Sequence, residues 1–139
     1  MNDLTDRFES AAARSEGATK IYGSGETEVR ALDGIDVAFT KEQFTAIMGP
    51  SGSGKSTLMH CMAGLDDLTT GKVFIGDTDL TELTERELTL LRRSHIGFIF
   101  QAYNLVPTLN AIENITLPLD LAGEKPDASW VERIVEVVS

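Results

Sequence analysis

A chain of 139 residues, 42% of them hydrophobic, is long enough to bury one core, so a single domain is expected. Its formal net charge of −10 argues against a general nucleic-acid surface, which requires an excess of Lys and Arg against the phosphate backbone. Cys61 is the only cysteine, which rules out an internal disulfide, and no run approaches the roughly 18 apolar residues of a membrane span, so a soluble protein of a reducing, cytoplasmic compartment is expected.

Residues 1–16 are polar and alanine-rich and read as a loosely ordered tail or a short frayed helix. Residues 18–22 read as a strand and residues 23–26 as a turn. The alternation of Ile35, Val37 and Phe39 marks a second, half-buried strand, so a small antiparallel sheet is expected first. Residues 44–48, Phe-Thr-Ala-Ile-Met, are almost uncharged and suit a buried parallel strand ending at Gly49.

The next residues, Gly49, Pro50, Ser51, Gly52, Ser53, Gly54, Lys55, Ser56 and Thr57, spell G-x-x-x-x-G-K-[ST]. A polyphosphate crowds several anionic oxygens into a small volume. A loop that grips it needs backbone N–H groups turned inward, and Gly49, Gly52 and Gly54 supply the freedom to do so. Lys55 then reaches the β- and γ-phosphates, the Ser56 hydroxyl serves Mg²⁺, and the helix starting near Gly54 aims its positive end at the anion. The pattern arises by accident in on the order of one chain in two hundred of this length. Its setting strengthens it, because Leu58, Cys61, Met62 and Leu65 then form one apolar helical face that stops near Gly64. On that face Cys61 reads as a small packing residue rather than a reactive thiol. The chain reads as a nucleotide binder.

Residues 71–77 give another strand and turn. Thr84 as N-cap, Glu87 as its capping-box partner and a Leu83–Leu88 staple predict a helix running to about Arg93. Residues 96–100 read as a further buried strand closing on Gln101. Val131, Ile134, Val135 and Val138 line one face of a last helix beginning after Pro126 and Asp127.

In this order these elements resemble the nucleotide-binding subunits of ABC transporters: an aromatic residue, Tyr22, on an early strand; the loop from Gly49 to Thr57; a strand bounded by Gly71 and Gly76; and a strand closing on Gln101. Residues 96–115 are especially similar to the lipoprotein-release and macrolide-export branch. The resemblance implies an α/β P-loop NTPase fold, the ABC ATPase core, over residues 17–139, with a small N-terminal antiparallel β subdomain and the start of the helical subdomain. It implies ATP and Mg²⁺ as cofactors, with Tyr22 stacking on adenine and Gln101 placing its amide oxygen on Mg²⁺ near the attacking water. The segment 102–119, through Leu105, Val106 and Leu109, would receive a membrane-spanning transporter subunit. A second ATP-binding subunit would complete a dimer at the inner face of the plasma membrane, with no nucleic-acid partner.

Two departures stand out. Glu42-Gln43 replaces the Gly-Glu usual in the turn before the loop, which strains that turn if φ must be positive. The second carboxylate that phosphoryl transfer needs is also missing, since Asp77 follows a strand too early and Asp120 follows a proline. The L-S-G-G-Q signature and a switch histidine are absent as well, with His60 and His95 read as structural or solvated. The expectation is an N-terminal portion, truncated before the signature, that folds poorly alone and lacks turnover. Two alternatives stay open: a non-catalytic module that binds nucleotide or a partner, and another P-loop kinase or NTPase, although the guanine-selecting N-K-x-D element is absent.

Overall fold

The computed structural model describes residues 11–138, which fall into two compact units divided after Leu88. The first is built on four strands, β1 (Ala11–Tyr22), β2 (Val29–Thr40), β3 (Thr70–Ile75) and β4 (Thr78–Asp79), all antiparallel and ordered β2-β1-β3-β4. The expected hairpin is therefore present, and β1 lies inside the sheet. It begins earlier than residue 18: Ala13 and Ser15 pair with Phe39 and Val37 on one side and with Ile75 and Val73 on the other. Residues 11–16 of the expected tail are thus strand, and residues 1–10 lie outside the described residues.

The buried positions of β1 are small: Ala11, Ser15 and Ala18. Ser15 is fully buried, and its hydroxyl offsets the desolvation by donating to the Ile35 carbonyl at 2.9 Å. At the start of β3, Gly71 (φ 94°) runs so close to β1 that a Cβ would stand 2.3 Å from the Gly17 oxygen. Helix α1 (Lys55–Met62) packs on the sheet, and Cys61 and Met62 join Ala18, Leu32, Val73, Leu80 and Leu88 in the core. Each fully buried Leu or Val contributes about 1.5–3 kcal/mol.

Helix α2 (Glu85–His95) opens as expected. The Thr84 N–H donates to Glu87 Oε2 at 2.8 Å, and the Glu87 N–H returns to Thr84 Oγ1 at 3.4 Å. In the second unit, α3 (Ala111–Ala122) carries its own capping box, Asn110 with Glu113, and tolerates Pro118 inside the helix. Helix α4 (Ala128–Val138) starts on Asp127, whose carboxylate accepts from the Ser129 and Trp130 N–H groups at 2.9 and 3.2 Å. The last predicted helix is therefore present, with its cap.

Two expected strands are not formed. Residues 44–48 lie outside the sheet with Phe44 and Met48 almost fully exposed, and residues 96–100 are likewise unpaired, with Ile99 exposed and the Phe98 and Phe100 rings stacked at 5.5 Å. A doubly apolar strand is stabilised by ladders on both sides. No described strand pairs with either segment.

Candidate phosphate-binding site

Gly54 is the N-cap of α1 in the left-handed conformation, φ 83°, and with no side chain it forms no capping bond. The first helical bond runs from the Leu58 N–H to the Gly54 carbonyl at 2.8 Å, so the N–H groups of Lys55, Ser56 and Thr57 have no acceptor within the helix. These donors and the helix's positive end converge on one point, the arrangement an anion needs. Gly54 also seats the loop on the sheet, because a Cβ there would stand 2.4 Å from the Ala31 carbonyl of β2. Only glycine permits that approach.

The loop closes on itself through the Ser53 N–H, which donates to the Pro50 carbonyl at 3.3 Å. Lys55 Nζ folds back onto the same carbonyl at 2.6 Å and onto Ser53 Oγ at 3.4 Å. An ammonium held on a neutral carbonyl is available to a better acceptor, and a phosphate oxygen is one. Ser51 to Thr57, with Val29, Arg30 and Ala31, line a cavity of about 270 Å³. Gly49 stands beside Ser53, 2.8 Å from Oγ to where a Cβ would be. The expected loop residues are therefore brought together with the Lys55, Ser56 and Thr57 amides lacking a helical acceptor, and the fit to a polyphosphate rests on that.

Tyr22 ends β1 directly opposite Val29, so the two side chains share one face of the hairpin. The residue is 42% exposed, and its hydroxyl donates to Asp66 Oδ2 at 2.5 Å. The Asp66 carboxylate holds the phenol above its ordinary range, with burial adding to this and a hydrogen bond from Thr57 opposing it. Lys20, two residues back on the strand, places Nζ 2.6 Å from Asp66 Oδ1, 2.5 Å from the Asp67 carbonyl and 5.0 Å over the Tyr22 ring. Hydrogen bonds from Lys20 and then Tyr22 hold the Asp66 carboxyl below the usual carboxylate range, and Asp66 holds Lys20 above its own. Sequence reasoning missed Lys20 and Asp66. The spacing of Lys20 to Tyr22 put both on one strand face, but nothing local pointed to Asp66, 44 positions from Tyr22.

Gln101 belongs to the second unit, at an exposed bend. Beyond it Leu105, Val106, Pro107, Leu109, Ala111 and Ile115 line a groove of about 520 Å³. Asn114 fastens that loop: Oδ1 accepts from the Val106 N–H at 2.8 Å, and Nδ2 donates to the Leu109 and Asn110 carbonyls at 3.0 and 2.9 Å. Asp77 sits in the β3–β4 turn and Asp120 on α3, accepting from Thr116 Oγ1 at 3.2 Å, so neither ends a strand. His60 and His95 are exposed, the latter 2.7 Å from Ser94 Oγ. Cys61 is buried, and burial first, then Asp66, pushes its thiol up, which suits a packing role.

Residues 32–139 match the family described as ABC transporter. A lipoprotein-releasing system ATP-binding protein, LolD, of Legionella pneumophila is 43% identical over 109 residues, 78% of this chain and 48% of that protein. The macrolide export ATP-binding/permease protein MacB of Hyphomonas neptunium is 49% identical over 105 residues, 76% and 16% respectively. An uncharacterised ABC transporter ATP-binding protein of Mycobacterium tuberculosis is 49% identical over 102 residues, 73% and 41%. The dimeric structure of the ATP-binding cassette MJ0796 of Methanocaldococcus jannaschii, in a post-hydrolysis state bound to ADP and Pi, superposes with a TM-score of 0.77 at 39% identity, covering 89% of this chain and 54% of that one. The chain spans about half the length, or less, of the relatives it matches. From its phosphate loop, its N-terminal antiparallel sheet and these matches, the chain belongs to the ABC transporter family and has the α/β fold of its ATP-binding cassettes.

Proposed function

We propose that this chain supplies the nucleotide-gripping part of an ATP-driven transporter motor, binding Mg-ATP through the loop from Gly49 to Thr57. The observation that carries this reading is the uncapped start of α1, where three amides and the Lys55 ammonium face one small cavity. In it Lys55 leaves the Pro50 carbonyl for the β- and γ-phosphate oxygens, the loop amides hold the remaining charge, and the Tyr22 ring stacks on adenine. Magnesium, when bound, neutralises phosphate charge. The oxygens this chain offers it are the Ser56 hydroxyl and the Gln101 amide. The loop after Gln101 is the surface offered to a membrane-spanning subunit, and a second ATP-binding subunit closes the complete motor as a dimer at the inner membrane face. Support comes from the dimeric form of MJ0796 and from the export and release systems named for the relatives.

Hydrolysis needs a strand-end carboxylate, and neither Asp77 nor Asp120 has that position. The chain by itself is therefore expected to bind ATP weakly and to release no phosphate above a Lys55→Ala control. Titration calorimetry with Mg-ATP tests the reading. Heat of binding that disappears in Lys55→Ala supports it; equal binding by both proteins refutes it. Steady phosphate release above the control points instead to another P-loop enzyme.

A further inference from the structure

The geometry points to Lys20 and Asp66 as positioning residues that hold the Tyr22 ring as a one-sided platform for a nucleobase, an inference that rests on the stacking reading of Tyr22 and deepens it. A tyrosine at the end of a strand ordinarily turns about two bonds, and stacking must first arrest that motion. Here it is arrested in advance. The hydroxyl donates to one oxygen of Asp66; the other oxygen takes the Lys20 ammonium, which is also anchored on the Asp67 carbonyl. That ammonium lies over one face of the ring, 5.0 Å from its centre, while the residue as a whole stays 42% exposed. One face is thus taken by a cation and the phenol edge is pinned, leaving the opposite face for a flat ligand.

The platform stands where a base attached to a loop-bound polyphosphate would need it. Val29, directly across the ladder from Tyr22, lines the loop cavity, and so does Thr57. The ladder pairing with Val29 therefore sets the ring at the cavity's rim. The acidic residue follows the end of the same helix whose start holds the phosphate loop, so α1 positions both ends of the ligand site.

The test compares the affinity of the chain for Mg-ATP with that for magnesium tripolyphosphate, which has no base. Asp66→Ala is expected to weaken ATP about three- to tenfold, the cost of ordering one freed side chain, and to leave tripolyphosphate unchanged. Tyr22→Phe should show the same loss, the double variant no more than either single one, and Asp66→Asn, which keeps an accepting oxygen, should recover most of it. Wild-type ATP affinity in Asp66→Ala and Tyr22→Phe, alongside a loss in Tyr22→Ala, overturns the positioning role while sparing the stacking reading. Equal loss for both probes in Asp66→Ala also overturns it, because that is general structural support. Wild-type behaviour of Tyr22→Ala overturns both. A ligand-free measurement stands beside these: in isotope-labelled tyrosine NMR the Tyr22 phenol titrates above the ordinary tyrosine range and returns toward it in Asp66→Asn. A titration unchanged by that substitution overturns the inference whatever the nucleotide does.

Discussion

Replacing Gly54 by alanine tests whether the phosphate loop is held to the sheet by backbone contact. Two costs add. An alanine at φ 83° lies in the left-handed region, at about 1–2 kcal/mol. Its Cβ would also stand 2.4 Å from the Ala31 carbonyl and 3.3 Å from Leu32 Cδ2, so either the loop or β2 must move, at about 1–3 kcal/mol for overpacking. The sum is about 2–5 kcal/mol, concentrated where α1 meets β2. Gly52→Ala is the internal control: φ is 80°, but nothing lies within 4 Å of its Cβ, so about 1–2 kcal/mol is expected. Amide hydrogen exchange reads local stability directly. Protection in β2 and α1 should fall about five- to 150-fold further in Gly54→Ala than in Gly52→Ala, since the extra cost of about 1–3 kcal/mol converts at about 1.4 kcal/mol per factor of ten. Equal protection in the two variants would refute the claim that close approach, rather than dihedral preference, demands glycine at this position.

Glu42 holds φ 57° on the surface, the strain anticipated for the turn before the loop, so Glu42→Gly should stabilise the chain by about 0.5–1 kcal/mol, read as a higher denaturant midpoint; a lower one contradicts the account. Asn114→Ala strips the fastening of residues 106–110 and should cost about 1–3 kcal/mol locally, visible as faster exchange of the Val106 amide, with no change refuting its role. The Lys20–Asp66 pair gives a two-sided pH dependence. The Asp66 carboxyl is depressed, so its contribution is present above the ordinary carboxylate value and lost as pH falls through the lowered one, below about pH 4. Lys20 is raised, so its contribution is present below the ordinary lysine value and lost as pH rises through the raised one, above about pH 10.4. Asp66→Asn should flatten both arms in the exchange of β1 and α1 amides, and an unaltered profile removes the pair from the explanation.

Local chemistry was legible wherever a short spacing dictates geometry. The loop glycines, the Thr84–Glu87 box and the positive φ at Glu42 all follow from constraints within a few residues. The Asn110–Glu113 box obeys the same rule, although the elements expected from the sequence include no helix there. Apolar runs were less informative. Residues 44–48 and 96–100 have the composition of buried strands, yet composition reports affinity for a ladder and not the presence of a partner strand. The reverse error occurred at residues 11–16, where alanine, serine and charged residues concealed a strand paired on both sides. At the site, the loop could be read and the platform beneath Tyr22 could not, because Asp66 reaches it only after the chain has passed through β2 and α1.

Among the described residues, three of the four α-helices begin on a side chain that closes their first amides: Thr84, Asn110 and Asp127. Helix α1 begins on Gly54 and has none. The first turn of α1 thus leaves three amides to be completed from outside the chain, and under the proposed function a bound nucleotide is what firms it. At a hundred times the dissociation constant, mass action adds about 2.7 kcal/mol to the loaded form.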